Sequence, residues 1–441
     1  MIYGDKMETE KIKNGAWGVL FLLFLANLFN FFDRTIPAII VEPIRKEWGL
    51  GDTELGVISA IFTVVYAAAG IPLGRLADRI SRKKIIGWGL GVWSLFTAIN
   101  GIAWNYISFL LIRAGVGIGE ASYAPAANSM IGDLFKSEKR ARAIGIFMLG
   151  LPLGLMLAFF SVGFIIKAFG TWRAAFYVAA VPGLVLAILF FFIKEPERGV
   201  MDNMAHSGHV ARPFRKILQV KTMWWIILSG LTFNFAAYAT NAFMVPMLQR
   251  FFHMPLIQAA LSTGVIVGIT GLIALTGGGW IADRLHARYK NGRLAFGTIS
   301  LFLGSILVFF ALRLEATNIG LFIALYSLGW LLCYNYYTTV YPAVQDVIAP
   351  KLRASAMALY FAAMYLLGAA VGPVIVGWIS DTIALNHFEG PTSTGSMEFS
   401  KGIGLHHAMY SVPLTILATA LFMFLAMKHF VGDSRAMREG K

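Results

Sequence analysis

The chain has 441 residues, 58% of them hydrophobic and 14% charged, with 35 Phe, a mean hydropathy of +0.69 and a formal net charge of +14. A soluble protein of this length would carry roughly 25% charged residues, whereas apolar runs of about 20 residues recur here from end to end, the pattern of an all-α polytopic membrane protein. The positive charge does not describe a nucleic-acid face, because Lys and Arg collect in short loops between the apolar runs, where they set topology and meet anionic lipid.

The first run, 16–41, is too long for a signal-peptide core and lacks a small-residue cleavage site, so it reads as an uncleaved span. Eleven more follow, at 54–77, 84–103, 106–135, 141–167, 173–194, 222–251, 255–282, 294–313, 317–347, 354–381 and 404–430. Lys and Arg number 21 around the loops after spans 2, 4, 6, 8 and 10, against 7 around the other internal loops. That bias places both termini in the cytoplasm. The single cysteine, Cys333, excludes an intrachain disulfide.

Span 1 carries Asn27, Asn30, Asp33 and Arg34, and Arg34 shares a helix face with both asparagines. The loop after span 2 reads GRLADRISRKK, Gly74 to Lys84. Span 4 holds Arg113 and Glu120 inside its apolar run. Charges at that depth cost several kcal/mol unless they face a partner or water, so they mark function. The two lie seven residues apart and project from one face, about 10 Å apart along the axis. Gly115, Gly117 and Gly119 between them let a neighbouring helix approach closely. Asp33 and Arg113 both lie roughly 10–12 Å in from the same side, which predicts an ion pair between them. Glu120 lies deeper, level with Asn27.

Farther on, GLPLG at Gly150 to Gly154 and GAAVGPVIVG at Gly368 to Gly377 predict bends. The polar stretch 195–221 divides the chain into halves, 1–194 and 222–441, and its tail, 212–221, mixes bases with apolar residues in the manner of an interfacial helix. Asn234, Tyr238 and Asn241 line one face of span 7, Tyr334, Tyr337 and Tyr341 one face of span 10, and Tyr360 and Met364 one face of span 11. Tyr66 and Tyr123 complete a candidate cavity that is cationic on the N-terminal side and aromatic on the other.

The halves repeat each other. GWIADRLHAR, Gly279 to Arg288, copies the loop after span 2, with Asp78 and Asp283 205 residues apart. Asp133 and Asp346 after spans 4 and 10 are 213 apart, each followed seven residues on by an arginine. Two such copies predict duplicated six-span bundles with a substrate site at mid-membrane. Asp78, Arg79 and Asp133 gather where spans 2 and 4 meet the cytoplasm, a setting for a carboxylate–guanidinium latch. Arg82, Asp283 and Arg284 extend it.

GRLADRISRKK resembles the cytoplasmic signature of the major facilitator superfamily, with Ser81 in place of its glycine. FFDR in span 1 and LLIRAGVGIGEASY in span 4 are similar to the spinster family of lipid transporters. The resemblance implies the major facilitator fold, twelve helices in two pseudo-symmetric bundles, with a gating role for Asp78, Arg79 and Arg82. It also implies that Asp33, Arg113 and Glu120 are the proton and substrate machinery. Burial favours a protonated carboxyl and a nearby guanidinium favours the ionised one, so moving an arginine moves a proton. The expected activity is proton-coupled secondary transport of a lysophospholipid-like or sphingoid-phosphate-like anion. A small organic anion such as a sugar acid or aromatic carboxylate is the alternative, since related symporters carry a similar Asp-Arg pair. The expected setting is a monomer among the lipids of a bacterial inner membrane, with protons and the substrate as partners.

No nucleophile and base stand at useful spacing, so no enzyme is expected. GVGIGE lies inside a span, not after a strand, and matches no nucleotide fingerprint. No cofactor or metal site is read, since His286, His387, His406 and His407 stand in loops or at a span end and no cysteine pair exists.

Overall fold

A backbone in hydrocarbon must satisfy its own N–H and C=O groups, and helices do so within one segment. The computed structural model describes residues 2–135, 137–196, 213–349, 352–386 and 394–438, excluding the side chains of 2–14, 71, 75, 77–79, 137–138, 141, 213, 354, 394–396 and 438. Among the described residues there are helices and no strand. The first half contains α1 (Ile2–Trp48), α2 (Asp52–Arg79), α3 (Arg82–Asn100), α4 (Tyr106–Ala121), α5 (Tyr123–Leu134), α6 (Ser137–Met148), α7 (Gly150–Phe169) and α8 (Arg173–Phe192). After α9 (Pro213–Ile217) come α10 (Lys221–Arg250), α11 (Leu256–Thr263), α12 (Thr270–Ile273), α13 (Gly279–Arg288), α14 (Gly292–Leu312), α15 (Ile319–Val347), α16 (Arg353–Ala363), α17 (Val371–Asn386), α18 (Thr394–Ala408) and α19 (Ser411–Arg438). Among the described residues, nine stretches are long and apolar enough to cross a membrane. The other three of the twelve spans are α3 and α10, which are more polar, and the α4–α5 pair, which is interrupted.

The interruptions have chemical causes. Span 4 was expected to run unbroken over 106–135, yet it divides at Ser122. Pro125 has no N–H to give the Ala121 carbonyl, and Ser122 Oγ turns back to donate to the Gly119 carbonyl at 2.8 Å. The break falls two residues past Glu120. The expected bend at GLPLG is present as the α6–α7 division at Leu149, where Pro152 likewise leaves the Met148 carbonyl without its helical donor. In spans 8 and 11 the extra residue is absorbed by π-helical turns, Gly264–Ile269, Ala274–Gly278 and Met364–Ala369. Such turns open the backbone ladder locally and recur at functional sites.

By contacts the chain forms two units. One is Met1–Ile36 with Val65–His206, and the other is Pro37–Val64 with Ser207–Lys441. The segment 37–64, the end of α1 and the start of α2, therefore groups with the second half of the sequence. The division in α1 falls at Pro37, whose missing N–H deprives the Asp33 carbonyl of its helical partner. Residues 197–212 of the linker lie outside the description; the short α9 follows them, with Phe214 exposed and Ile217 buried.

Within the first unit α3 lies flush on α4 because glycines remove the intervening side chains. A Cβ on Gly119 would sit 2.7 Å from the Trp93 backbone nitrogen. Gly119→Leu is therefore expected to force the helices apart and to cost about 1–3 kcal/mol. An unchanged thermal midpoint in detergent would contradict this packing.

Candidate functional site

Helices α1 and α4 bring four charges into the first unit. Asp33, Arg113 and Glu120 are 1%, 3% and 0% exposed. Glu120 Oε2 accepts a hydrogen bond from Arg34 Nε at 2.5 Å. The Arg34 guanidinium also lies 4.4 Å from the Tyr66 ring centroid and 5.2 Å from that of Phe31. Asp33 Oδ2 accepts from Thr97 Oγ1 of α3 at 3.3 Å. Arg113 lies within electrostatic reach of both acids. Asn30 stands beside Glu120. Asp33 Oδ1, Glu120 Oε1 and Asn30 Nδ2 are buried without hydrogen-bond partners among the described residues.

The hydrogen-bonded ion pair is thus Arg34–Glu120, where depth along the helices alone had predicted Asp33–Arg113. Azimuth explains the difference. Consecutive residues on α1 point about 100° apart, so Arg34 follows Asn30 toward α4 while Asp33 turns toward α3. Two buried acids, each with an open oxygen, beside two guanidinium groups can hold a proton and exchange anionic partners.

Several predicted site residues have structural partners. Asn27 Nδ2 donates to the Phe147 carbonyl at 2.9 Å, clipping α1 to the α6–α7 break. Asn27→Ala is expected to lower stability by about 1–3 kcal/mol by orphaning that carbonyl; an unaltered melting curve would remove the clip. Tyr123 is buried, donates to the Leu23 carbonyl and packs edge-on against Trp93. In the second unit, Asn234 bonds back to the Gly230 carbonyl at 3.1 Å, and Asn241 is half-buried. Around them lies an aromatic cluster. Tyr360 and Tyr336 share a 2.9 Å hydroxyl contact, and Tyr336 meets Ser229 at 2.9 Å. Tyr334, Tyr337 and Tyr341 follow along α15 with centroids 5.6–6.3 Å apart, and Tyr238 meets Tyr365 at 6.2 Å.

At the loop ends the repeat becomes geometric. Arg82, fully buried at the start of α3, binds Asp133 at the end of α5, together with Glu195 Oε1 at 3.3 Å and the Pro196 carbonyl at 2.6 Å. Burial pushes the Glu195 carboxyl up, but hydrogen bonds from Ser81 and Arg82 outweigh it and hold it below the ordinary glutamate value. In the second unit Arg293, at the start of α14, binds Asp346 at 3.0 Å and Asp283 at 2.8 Å. Arg82 and Arg293 are 211 residues apart, an offset that sequence reading missed although it lies between the 205 and 213 of the aspartates. The predicted Arg284 instead lies 3.9 Å above the Trp280 ring. The side chains of Asp78 and Arg79 lie outside the description.

Sequence reading also missed a buried network in the second unit. Arg250, at the end of α10, donates to Glu42 at 2.5 Å and to both Asp52 oxygens at 2.8 and 2.9 Å. Arg45 joins Glu42 at 3.1 Å and Glu398 at 2.6 Å. Ser380 donates to Asp52 at 2.6 Å, while Asp381 accepts from the Asp52 and Thr53 amides, each at 2.8 Å. Each charge stands at a span end, where it reads as a topology signal; only the i,i+3 spacing of Glu42 and Arg45 hinted at pairing.

Residues 23–381 match the family model of the Major Facilitator Superfamily. The chain belongs to the major facilitator superfamily. It is an integral membrane transporter of small molecules, spinster-like in kind, and not an enzyme. An MFS-type efflux pump of Mycolicibacterium smegmatis is 30% identical over 83% of this chain and 85% of its own. The sphingosine-1-phosphate transporter SPNS2 of Danio rerio is 26% identical over 94% and 84%, and a probable L-galactonate transporter of Escherichia coli is 28% identical over 86% of each. The solved structure of a bacterial homolog to the human lysosomal transporter Spinster, 24% identical, superposes with a TM-score of 0.85 over 95% of this chain and 98% of that one. The fold is accordingly the twelve-helix major facilitator fold.

Proposed function

We propose that this major facilitator protein is a proton-coupled secondary transporter that moves a lysophospholipid-like or sphingoid-phosphate-like anion by alternating access. The observation that carries the reading is the buried Arg34–Glu120 pair beside Asp33 and Arg113. A proton on Glu120 removes the charge that holds Arg34, and Arg34 and Arg113 then offer forked donors to a phosphate. Asp33, with one open oxygen, is the second proton carrier. Tyr66 lies under Arg34 in the first unit, and the Tyr334, Tyr337, Tyr360 and Tyr238 cluster of the second unit is an aromatic surface suited to a greasy body. Asn30, whose Nδ2 is open beside Glu120, adds a donor to the site.

The duplicated bundles are the halves 1–194 and 222–441, joined by 195–221, with 37–64 grouping by contacts with the second. The Arg82 and Arg293 latches and the Arg250 network alternately hold their loop ends. Both termini lie on the Lys/Arg-rich, cytoplasmic side, in the inner membrane of a bacterium, and the transporter works as a monomer.

The relationship to the zebrafish sphingosine-1-phosphate transporter supports the lipid class. That to the probable L-galactonate transporter favours a second reading, a small sugar acid held by the same arginines. Flux into proteoliposomes under an imposed pH gradient separates them. Lysophospholipids or sphingoid phosphates are expected to be driven, and stimulation by small carboxylates alone would remove the lipid assignment. Arg113→Lys keeps the charge but loses the two-pronged geometry. Substrate binding in that variant is expected to fall roughly 10- to 100-fold, and wild-type affinity would count against Arg113 as a head-group ligand.

A further inference from the structure

The ends of α13 and α19 enclose a cavity of about 260 Å³ in the second unit, lined by His286, Lys290, Phe430, Val431, Ser434 and Arg435. Neither Lys290 nor Arg435 has an ion-pair partner among the described residues. The neighbouring acids are engaged elsewhere: Asp283 and Asp346 hold Arg293, and Asp433 accepts from the Thr222 amide and hydroxyl at the start of α10. His286 Nε2 lies 3.8 Å from Asp346, and its Nδ1 is buried without a partner among the described residues. The cavity lining therefore brings Lys290, Arg435 and His286 together against the apolar wall of Phe430 and Val431.

We propose that this cavity binds the phosphate headgroup of an anionic phospholipid. A lysine, an arginine and a histidine lining one cavity suit a tetrahedral group with several acceptor oxygens. Basic pockets between membrane helices on the Lys/Arg-rich side recur as sites for such headgroups. The favoured source is lipid because the pocket continues into an exposed apolar strip. Leu421, Phe424, Lys428, Val431 and Arg435 fall at three- and four-residue spacing on one face of α19, with Leu421 55% and Phe424 42% exposed. An acyl chain can lie along that strip with its phosphate among the bases. Nothing in this site touches the Arg34–Glu120 cluster, so its test stands apart from that of transport.

Native mass spectrometry of the full chain in detergent reads the binding directly, using short-chain phosphatidylglycerol, phosphatidylcholine of the same chain length, and inorganic phosphate. The intact protein is expected to prefer phosphatidylglycerol by tenfold or more, and Lys290→Gln with Arg435→Gln to erase that preference, since each base near the surface contributes about fivefold. Exchange of the two bases, Lys290→Arg with Arg435→Lys, keeps the preference and controls for folding. Lys139→Gln, a base of the first unit, leaves it intact. The proposal is overturned if the preference survives the double neutralisation, or if Lys139→Gln weakens it equally. Displacement of phosphatidylglycerol by inorganic phosphate at equal concentration would overturn the lipid source.

Discussion

Glu120→Gln is expected to reduce pH-gradient-driven flux by about 100-fold or more. The substitution keeps the volume, and the amide oxygen still accepts from Arg34 Nε, where the carboxylate now accepts at 2.5 Å. What it removes is the charge and the ability to carry a proton. Breaking a buried pair from one side costs about 3–5 kcal/mol, because the remaining charge is left without compensation. Each 1.4 kcal/mol is a factor of about ten. The low end applies here, since the Arg34 side chain is 15% exposed and keeps its contacts with Phe31 and Tyr66. The defect has a signature that misfolding lacks: net uptake loses its dependence on external pH, while exchange of substrate for substrate, which moves no net proton, falls less. Transport by Glu120→Gln with the wild-type pH profile would exclude Glu120 as a carrier.

The largest expected loss of stability is at Arg250. Its side chain is 3% exposed and bonds Glu42 and Asp52 together. Arg250→Gln leaves two buried carboxylates facing a neutral amide, a change of about 3–5 kcal/mol. Arg45 still neutralises Glu42, and Ser380 still donates to Asp52 at 2.6 Å, which moderates the loss. Adding Asp52→Asn removes one of the stranded charges, so the double variant is expected to melt above the single one, a coupling that a double-mutant cycle isolates. Equal melting of Arg250→Gln and wild type would show that the network contributes nothing to stability. Because the network ties 37–64 to α10 within the second unit, loosening it is also expected to alter transport kinetics more than substrate affinity.

The fold was readable from the chain because hydrocarbon leaves so few options. Apolar runs of membrane length, bases in alternate loops and two copied aspartate loops sufficed for twelve spans. The burial of Asp33, Arg113 and Glu120 was readable for the same reason: an ion inside an apolar run has nowhere to go but inward. Azimuth was not readable. Axial depth put Asp33 opposite Arg113, but the hydrogen-bonded partner of Glu120 is Arg34, and a single residue step around α1 decides which. Polar residues recruited to mend helix breaks were also hidden. Asn27 looked like a cavity ligand, but it donates to the Phe147 carbonyl beside the α6–α7 break. Charges at span ends, such as Glu42, Asp52 and Arg250, read singly as topology signals, and only three-dimensional contact turns them into a network. Arg293 was recoverable in principle, from its 211-residue offset to Arg82.

The most direct test places a pH-reporting dye inside proteoliposomes and adds lysophospholipid outside, with no gradient imposed. Wild-type protein is expected to move protons when substrate is added, and Asp33→Asn and Glu120→Gln are not. Substrate entry without any proton movement in the wild type, or undiminished proton movement in both variants, would contradict proton coupling through these two acids.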